Sequence, residues 1–260
     1  MLALTQTLIA SLIAVLCSML VLWLVSLRMR NASIIDPFWG IGFVIVVGVC
    51  WFINPLPTVR SMVLYALTTV WGLRLSLYLL WRNTNHGEDY RYAAMRAYHG
   101  NRFWWVSLLT VFLLQGAILW FVSLPIQVAG VSRVVVPLSW LDAVGLLLWS
   151  IGLFFESVGD WQLARFKRNP ANAGCVMDQG LWRLTRHPNY FGDFCVWWGL
   201  YLIAVNGNAS WTVGSPLLMS YLLLKVSGVA LLEHTIAERR PEYAAYQART
   251  NAFFPGWSRE

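Results

Sequence analysis

The chain has 260 residues, of which 58% are hydrophobic and only 12% are charged, and its formal net charge is +7. This composition excludes an ordinary soluble domain and is typical of an integral membrane protein. The positive charge does not indicate a nucleic-acid-binding protein, because the basic residues are divided among segments that flank apolar runs and no nucleic-acid-binding motif accompanies them.

Seven segments approach the roughly 20 apolar residues that a helix needs to cross a membrane. In chain order they are residues 2–27, 38–53, 59–80, 103–124, 140–158, 190–205 and 211–232. The first lacks a basic start and is longer than the apolar core of a signal peptide, which favours a retained helix. The second and sixth are short for a crossing and could be extended or tilted. The sequence therefore predicts an all-α integral membrane bundle of seven transmembrane helices, forming a single domain over residues 1–260.

The basic residues orient this predicted bundle. If the N-terminus lies outside, the outer loops hold only Arg60 and Arg133. Arg74 and Lys225 lie within spans, and the other basic residues fall on the inner side. Cytoplasmic loops carry such an excess of Lys and Arg. We therefore expect an outside N-terminus, a cytoplasmic C-terminus and any cofactor site on the cytoplasmic side. The membrane would be the inner membrane of a bacterium or the endoplasmic reticulum of a eukaryote.

Two predicted inner loops, residues 81–102 and 160–189, exceed the usual helix–helix connection of about 2–8 residues, and long connections are often functional. The 4 cysteines contain no CxxC pair, and the 4 histidines are dispersed along the chain. The sequence therefore predicts neither a disulfide framework nor a metal site.

Three pairs of polar residues lie four positions apart, and hence on one helix face, in or beside the predicted spans. The pairs are Arg74 with Tyr78, Glu156 with Asp160, and Asn189 with Asp193. Lys167 continues the face of Glu156 and Asp160 if that helix extends beyond residue 158. Polar groups at membrane depth are costly and often mark functional sites. A structural interpretation stays open, because Arg74 could neutralise an acid and the carboxylates could form a purely structural polar cluster.

Asp36 comes directly before the second apolar segment and is followed by Pro37. An Asp-Pro pair is typical of a helix start, so Asp36 could be the N-cap of this helix. It could equally be an acid that takes part in chemistry. The sequence alone leaves both interpretations open.

The polar residues as a set suit a nucleotide. Arg and Lys match phosphate oxygens, whereas Asp and Asn match ribose hydroxyls or an amide. A soluble dinucleotide-binding fold is excluded, because Gly40 and Gly42 form a GxG but Ile45 stands where the third glycine would be, and no strand precedes them.

The stretch "RHPNYFGD" at 186–193 resembles the C-terminal signature of the steroid 5α-reductase family and the related pattern of sterol reductases. The resemblance is densest over residues 156–257, through "ESVGDWQLARFKRNP" at 156–170, "GLWRLTRHPNYFGDF" at 180–194 and "RPEYAAYQARTNAFFP" at 240–255. Upstream, "DPFWGIGF" at 36–43, "WGLRLSLY" at 71–78 and "GEDYRY" at 87–92 look like the bacterial branch of that family. The shorter "RHPxY" pattern also resembles membrane methyltransferases of the isoprenylcysteine type.

The resemblance implies a membrane reductase that uses NADPH to add hydride to the C=C bond of a conjugated enone, such as a 3-oxo-Δ4-steroid entering from the bilayer. The residues at positions that the family uses for its cofactor are Arg74, Asn83, Arg91, Glu156, Asp160, Lys167, Arg186, His187, Asn189, Tyr190 and Asp193. Among them, Asn189 and Asp193 would contact the nicotinamide end. Glu156, Asp160 and Lys167 would hold the ribose, adenine and phosphate parts. The basic inner loops favour NADPH over NADH, because a 2′-phosphate requires a cationic partner.

The same resemblance places Ile35-Asp36 where mammalian members carry a Gln-Glu pair. We therefore expect Asp36 to be the acid that stabilises the ketone oxygen, with Tyr78 as the second catalytic candidate. The partners would be the lipophilic enone and membrane lipids, with no nucleic acid and no metal. Two alternatives stay open: an S-adenosylmethionine-dependent membrane methyltransferase, and a non-catalytic sterol-binding protein.

Overall fold

The computed structural model describes residues 2–84, 87–133, 135–226, 233 and 242–258. Every regular element in these ranges is helical, and none of the described residues lies in a strand. This confirms the predicted all-α class. The chain is divided into two compact units, of which the first comprises Met1–Pro137 with Ala204–Ser215 and the second Leu138–Ile203 with Pro216–Glu260. The single-domain assignment stays a prediction.

The helices are numbered here in chain order. The first seven are α1 (Leu2–Met29), α2 (Ile35–Ile53), α3 (Val59–Asn83), α4 (Tyr90–His99), α5 (Phe103–Ser107), α6 (Leu114–Val122) and α7 (Leu124–Gly130). A 3₁₀ turn (Ala32–Ile34) precedes α2, and a π-helical turn (Leu108–Leu113) joins α5 to α6. The later helices are α8 (Trp140–Arg168), α9 (Leu181–Leu184), α10 (Pro188–Ala204), α11 (Gly214–Tyr221) and α12 (Tyr243–Arg249).

Five helical segments of the described chain are long and apolar enough to cross a membrane. They are Leu2–Met29, Ala32–Ile53, Val59–Asn83, Tyr90–Val122 and Trp140–Arg168. They match the first five predicted segments, and the short second segment is extended at its start by the 3₁₀ turn. The sixth predicted segment coincides with the 17-residue helix α10. Part of the seventh, residues 227–232, lies outside the described residues.

Both long predicted loops contain helix. Residues 81–102 include α4, whose N-cap Asp89 accepts a hydrogen bond from the backbone N–H of Arg91 at 3.0 Å. Helix α8 continues past residue 158 to Arg168, so Lys167 lies on the same helix as Glu156 and Asp160, as predicted. The helix ends before Pro170, because the ring of a proline disfavours helical geometry in the residue that precedes it.

Glycines bring α8 and α10 into backbone contact in the second unit. Gly145, Gly152 and Gly159 recur every seven residues along α8. A Cβ atom on Gly152 would lie only 2.5 Å from the carbonyl oxygen of Gly192, and one on Gly145 would lie 2.7 Å from that of Gly199. Such close approach requires the absence of a side chain, which is how small residues bring helices together in membranes. This seam fixes the register that places Glu156 against α10.

A similar contact in the first unit explains the GxG motif. A Cβ atom on Gly72 of α3 would lie 2.6 Å from the carbonyl oxygen of Gly40 on α2. Gly40 therefore serves helix packing, consistent with the exclusion of a dinucleotide-binding loop at this position.

Candidate functional site

The first unit contains a polar network centred on the start of α2, which we call the Asp36 network. Its members are Asp36, Trp39, Asp89, Arg91, Tyr92 and Gln115. The Tyr92 hydroxyl donates to Oδ1 of Asp36 at 2.7 Å, and Nη2 of Arg91 donates to Oδ2 at 3.0 Å. Gln115 Nε2 donates to the Tyr92 hydroxyl at 3.3 Å, and Trp39 Nε1 donates to Gln115 Oε1 at 2.6 Å. The Tyr92 side chain is buried, with 6% exposed.

The N-cap interpretation of Asp36 is wrong. Helix α2 begins at Ile35, and its N-cap residue Ile34 makes no side-chain cap hydrogen bond. The cap of the preceding 3₁₀ turn is Asn31, whose side chain accepts from the Ser33 N–H at 2.9 Å. Because the helical path begins before Asp36, its carboxylate is available to the side chains of α4. An Asp-Pro pair marks a helix start in sequence, but it does not reveal that an earlier Asn begins a 3₁₀ turn.

Arg91 joins two carboxylates. Its Nε atom donates to Asp89 Oδ1 at 2.8 Å, while Nη2 also reaches Asp36. Burial alone would raise the pKa of Asp89, but hydrogen bonds from the Arg91 side chain and backbone, together with the Arg91 charge, outweigh it and leave this pKa lowered. The phosphate contact predicted for Arg91 stays a prediction, and the structure gives this residue a second task in orienting Asp36.

A second ion pair fastens α4 beside the Asp36 network. Arg96 donates to both carboxylate oxygens of Glu88 at 2.8 Å, and Glu88 Oε1 also accepts from the Ala32 N–H at 2.7 Å. Burial opposes ionisation of Glu88, yet these donors leave its pKa below the ordinary value. The charged side chains thus anchor the start of α4, which carries Arg91 and Tyr92, to the turn before α2.

The remaining predicted residues of the first unit lie on α3. The guanidinium of Arg74 lies 5.4 Å from the centre of the Tyr78 ring, so the predicted i,i+4 pair is in contact. The Tyr78 ring also lies 5.9 Å from that of Trp81. Near the end of the helix, Asn83 Oδ1 accepts from Arg82 Nε at 3.1 Å. The phenol that hydrogen-bonds Asp36 is that of Tyr92, and the catalytic role of Tyr78 stays a prediction.

The second unit brings together the polar faces of α8 and α10. Glu156 and Asp160 are buried, with 3% and 5% exposed, and Asp193 is half-buried on α10. Asn189 Nδ2 approaches Asp160 Oδ1 to 3.5 Å. A Cβ atom on Gly192 would lie 2.8 Å from Cγ of Glu156, so this carboxylate packs directly on α10. We call Glu156, Asp160, Asn189 and Asp193 the carboxylate–amide cluster. Lys167 is exposed near the end of α8.

Arg186 and His187 form a clamp with Glu233. Arg186 donates through Nε and Nη2 to the two oxygens of Glu233 at 2.7 and 3.0 Å, and through Nη1 to the carbonyls of Gln247 at 3.1 Å and Thr250 at 2.5 Å. His187 Nε2 lies 3.1 Å from Glu233 Oε1, and its ring stacks on Tyr190 at 5.5 Å. The clamp thereby holds residues 242–258 against the segment that leads into α10.

The clamp carries a strongly perturbed acid. Burial alone would raise the pKa of Glu233, but the hydrogen bonds and charges of His187 and Arg186 outweigh it and lower this pKa to about 2. Sequence reasoning missed Glu233, because it follows an apolar segment and nothing in the local pattern connects it with Arg186, 47 residues earlier in the chain.

These arrangements limit the possible chemistry. Among the described residues, no group of three or more His, Cys, Asp or Glu side chains could hold a metal ion. The carboxylate–amide cluster offers acceptors and an amide, which suit hydroxyl and carboxamide groups of a ligand. In the first unit, a buried phenol beside a carboxylate suits a carbonyl oxygen.

The helical fold, its apolar spans and the buried polar residues define an integral membrane protein of the all-α class. The chain belongs to the family described as "Protein of unknown function (DUF1295)", whose profile matches residues 22–250 and which includes steroid 5α-reductase-like proteins.

Two relatives are similar to this chain. An uncharacterized protein of Schizosaccharomyces pombe is 25% identical over 280 residues, which covers 90% of this chain and 76% of the relative. A probable O-methyltransferase of Ustilaginoidea virens is 40% identical over 55 residues, which covers 21% of this chain and 19% of that protein. No solved structure matches the chain significantly.

Proposed function

We propose that the protein is an NADPH-dependent membrane reductase that adds hydride to the C=C bond of a conjugated enone, with 3-oxo-Δ4-steroids as the first substrate class to test. The observation that carries the proposal is the buried Tyr92 phenol, held 2.7 Å from Asp36 beside Arg91 in an apolar helical unit. The family membership and the membrane-spanning helices support a lipophilic substrate. The proposal includes seven spans, an outside N-terminus and a cytoplasmic cofactor site.

The donor set fits NADPH. Asn189 and Asp193 would hold the carboxamide of the nicotinamide, because an amide and a carboxylate complement its N–H and C=O groups. Glu156 and Asp160 would accept from ribose hydroxyls, and the exposed Lys167 would meet phosphate. Bound NADPH supplies the hydride, and the protein supplies orientation and electrostatics. Arg186 and His187 would act indirectly, by fixing the segment that begins α10.

Tyr92 would donate a hydrogen bond to the ketone oxygen, which gains negative charge when hydride adds to the enone. A preorganised O–H donor in a site that excludes water stabilises such charge most effectively. The Tyr92 phenol has one proton, which it donates to Asp36 in this structure. This O–H would turn to the ketone oxygen when the enone binds, and Asp36, which Arg91 fixes in turn, would hold the phenol in place until then. This reading differs from the sequence-based expectation that Asp36 itself is the acid, and the two make different predictions for substitution.

NADPH oxidation by detergent-purified protein, followed against a panel of 3-oxo-Δ4-steroids and simpler enones, tests the activity. Tyr92→Phe should lower kcat by about 10²–10⁴-fold while NADPH binding persists, the loss typical of removing a proton donor. Tyr98→Phe is the matched control, since Tyr98 lies on the same helix but is 86% exposed. A wild-type protein that oxidises NADPH with none of the enones would overturn the proposal.

A second candidate is a methyltransferase that uses S-adenosylmethionine. The similarity to a probable O-methyltransferase favours it, although that similarity covers 21% of this chain. Isothermal titration with NADPH and with S-adenosylmethionine separates the two functions. Binding of S-adenosylmethionine alone would replace the reductase proposal, whereas sterol binding without either cofactor would indicate a non-catalytic binding protein.

A further inference from the structure

A cavity in the second unit lies outside all the residues assigned to NADPH or to the Asp36 network. It has a volume of about 490 Å³ and is lined by Asp178, Gln179, Gly180, Arg183, Arg249, Thr250 and Ser258. This volume lies within the range of about 300–1,000 Å³ that is usual for ligand sites. We call it the Arg183–Arg249 cavity.

The walls of this cavity are fixed by backbone hydrogen bonds. The N–H of Gly256 donates to the carbonyl of Leu184 at 3.0 Å, and the N–H of Arg186 donates to that of Asn251 at 2.9 Å. Gln162 of α8 fixes the chain beside the lining residue Gly180, because its Oε1 atom accepts from the Leu181 N–H at 3.0 Å. The cavity is therefore preformed rather than a gap between independent loops.

The lining favours an anion that carries several acceptor oxygens. Arg183 is exposed, and Arg249 is oriented by its ion pair with Asp178, so the lining contains two guanidinium groups and one carboxylate. A guanidinium has five N–H donors, and Arg249 uses only Nη2 for Asp178. The Ser258 hydroxyl donates to the carbonyl of Arg249 at 3.4 Å, which holds residue 258 at the rim of the cavity. Paired guanidinium groups match phosphate oxygens in geometry and charge.

The position of the cavity along α8 indicates the source of that phosphate. The apolar outer face of α8 includes Phe154 and Trp161, which are 53% and 58% exposed, and it gives way to exposed Arg165 and Arg168. Aromatic residues followed by basic ones mark the boundary between hydrocarbon and headgroups. Gln162, which supports the cavity, is the residue next to Trp161. The cavity therefore lies at the depth where lipid phosphates are found.

Residues 254–258, which adjoin the cavity, also support its placement at the depth of the lipid phosphates. Trp257 adjoins the lining residue Ser258 and is 92% exposed, and Phe254 is 59% exposed. An exposed tryptophan beside a basic pocket is typical of a protein surface in contact with the membrane interface. A soluble phosphate ligand would not require this aromatic rim.

We propose that the Arg183–Arg249 cavity binds the phosphate of an anionic phospholipid headgroup. The inference does not depend on the proposed reductase activity, because none of the lining residues is assigned to NADPH or to the enone. The orientation predicted from the basic loops would place the bound lipid in the cytoplasmic leaflet, where anionic lipids are attracted to basic pockets.

Native mass spectrometry of the full chain in a neutral detergent tests the proposal. The protein is incubated with equal amounts of phosphatidylglycerol and phosphatidylcholine, and the retained lipid is measured for wild type, Arg183→Glu and Arg168→Glu. The control Arg168→Glu makes the same change of charge at the exposed end of α8, outside the cavity. We expect wild type and Arg168→Glu to retain phosphatidylglycerol, and Arg183→Glu to bind it at least about tenfold more weakly, as for a lost charged hydrogen bond.

Two further arms identify the ligand and guard against misfolding. Inorganic phosphate and NADPH at millimolar concentration should leave phosphatidylglycerol bound; displacement by either would assign the cavity to a soluble phosphate and overturn the lipid proposal. Equal retention by Arg183→Glu and Arg168→Glu, or equal retention of phosphatidylcholine, would also overturn it. If Arg183→Glu does not fold, Arg183→Gln removes the charge without reversing it, and the same tenfold criterion applies.

Discussion

At the scale of single residues, the contacts of Asp36 bear on whether it is the acid that protonates the substrate or a group that positions Tyr92. Its two oxygens accept from Tyr92 and Arg91, so in this arrangement the proton lies on the phenol, whose O–H would turn from Asp36 to a substrate oxygen. Asn at this position would still accept from Tyr92 through its amide oxygen but would lose the ion pair with Arg91. The two readings therefore predict different costs for one substitution.

We expect Asp36→Asn to lower kcat less than Tyr92→Phe does, with NADPH affinity unchanged. The reason is that Asn preserves one of the two contacts that orient the phenol, whereas Phe removes the donor itself. Steady-state kinetics of both variants over a range of pH values measures the difference. If Asp36→Asn costs about 10²–10⁴-fold and abolishes a limb of the pH profile, Asp36 is the acid, as the sequence alone suggested.

A second residue-scale prediction concerns the clamp of Arg186, His187 and Glu233. The folded-state pKa of Glu233 is lowered to about 2 from its ordinary value of 4.5, so its carboxylate stabilises the fold above the unfolded pKa. This stabilisation is lost as the pH falls from the unfolded value through about 2. We expect Glu233→Gln to lower the melting temperature at pH 7 and to have a progressively smaller effect toward pH 3.

Thermal unfolding in detergent across that pH range measures the clamp. Glu242→Gln is the matched control, because Glu242 is an exposed carboxylate at the start of α12, near the same tail. A Glu233→Gln effect that is equally large at pH 3 and pH 7 would show that the carboxylate charge does not stabilise the clamp.

At the scale of helices, residue spacing predicts which polar residues share a helix face but not which residues of other elements they contact. The i,i+4 pairs on α3, α8 and α10 were placed correctly, because helical periodicity is a local property of the chain. The sequence does not predict the contact between Tyr92 and Asp36, because "GEDYRY" at 87–92 lies in a predicted loop, whose contacts have no periodic pattern. Glu233 was missed for a related reason: an ion pair between distant segments leaves no periodic signal in either of them.

The close glycine contact between α8 and α10 leads to a testable prediction at this scale. In Gly152→Ala, the new methyl group would lie only 2.5 Å from the carbonyl oxygen of Gly192. Helices α8 and α10 must therefore separate. Because the obstruction is backbone rather than a flexible side chain, we expect a loss of at least about 1–3 kcal/mol, the usual cost of overpacking. The measurement is the free energy of unfolding, from denaturant titration in mixed micelles.

Gly48→Ala is the matched control for this substitution. Gly48 lies inside α2, and a Cβ atom there would meet nothing within 4 Å. Alanine is a better helix former than glycine by about 1 kcal/mol, so this variant should be unchanged or slightly more stable. If Gly152→Ala were as stable as Gly48→Ala, the close approach of α8 and α10 would not be required.

At the scale of the whole molecule, composition was sufficient for the class but not for the number of crossings. Five described helices satisfy the length and hydropathy of a span. The sixth predicted span falls on α10, which gives way to a π-helical turn (Val205–Ala209) where Asn208 has a φ of 65°. The predicted sixth span ends at residue 205, where this turn begins, because the turn sequence VNGNA contains two Asn and one Gly.

Orientation across the membrane can be tested through the native cysteines. Cys50 and Cys195 are buried. Cys17 is exposed on α1, in a predicted span where the bilayer would cover it, so an aqueous reagent should not reach these three thiols. Cys175 is exposed in the segment between α8 and α9, which the positive-inside rule assigns to the cytoplasm. A membrane-impermeant maleimide should therefore label Cys175 only after intact cells are permeabilised.

The control is Val135→Cys in a Cys175→Ser background: residue 135 is 86% exposed in a predicted outer loop and should react in intact cells. Labelling of Cys175 in intact cells, with no reaction at residue 135, would reverse the orientation and move the proposed cofactor site to the outer side, where cytoplasmic NADPH could not reach it.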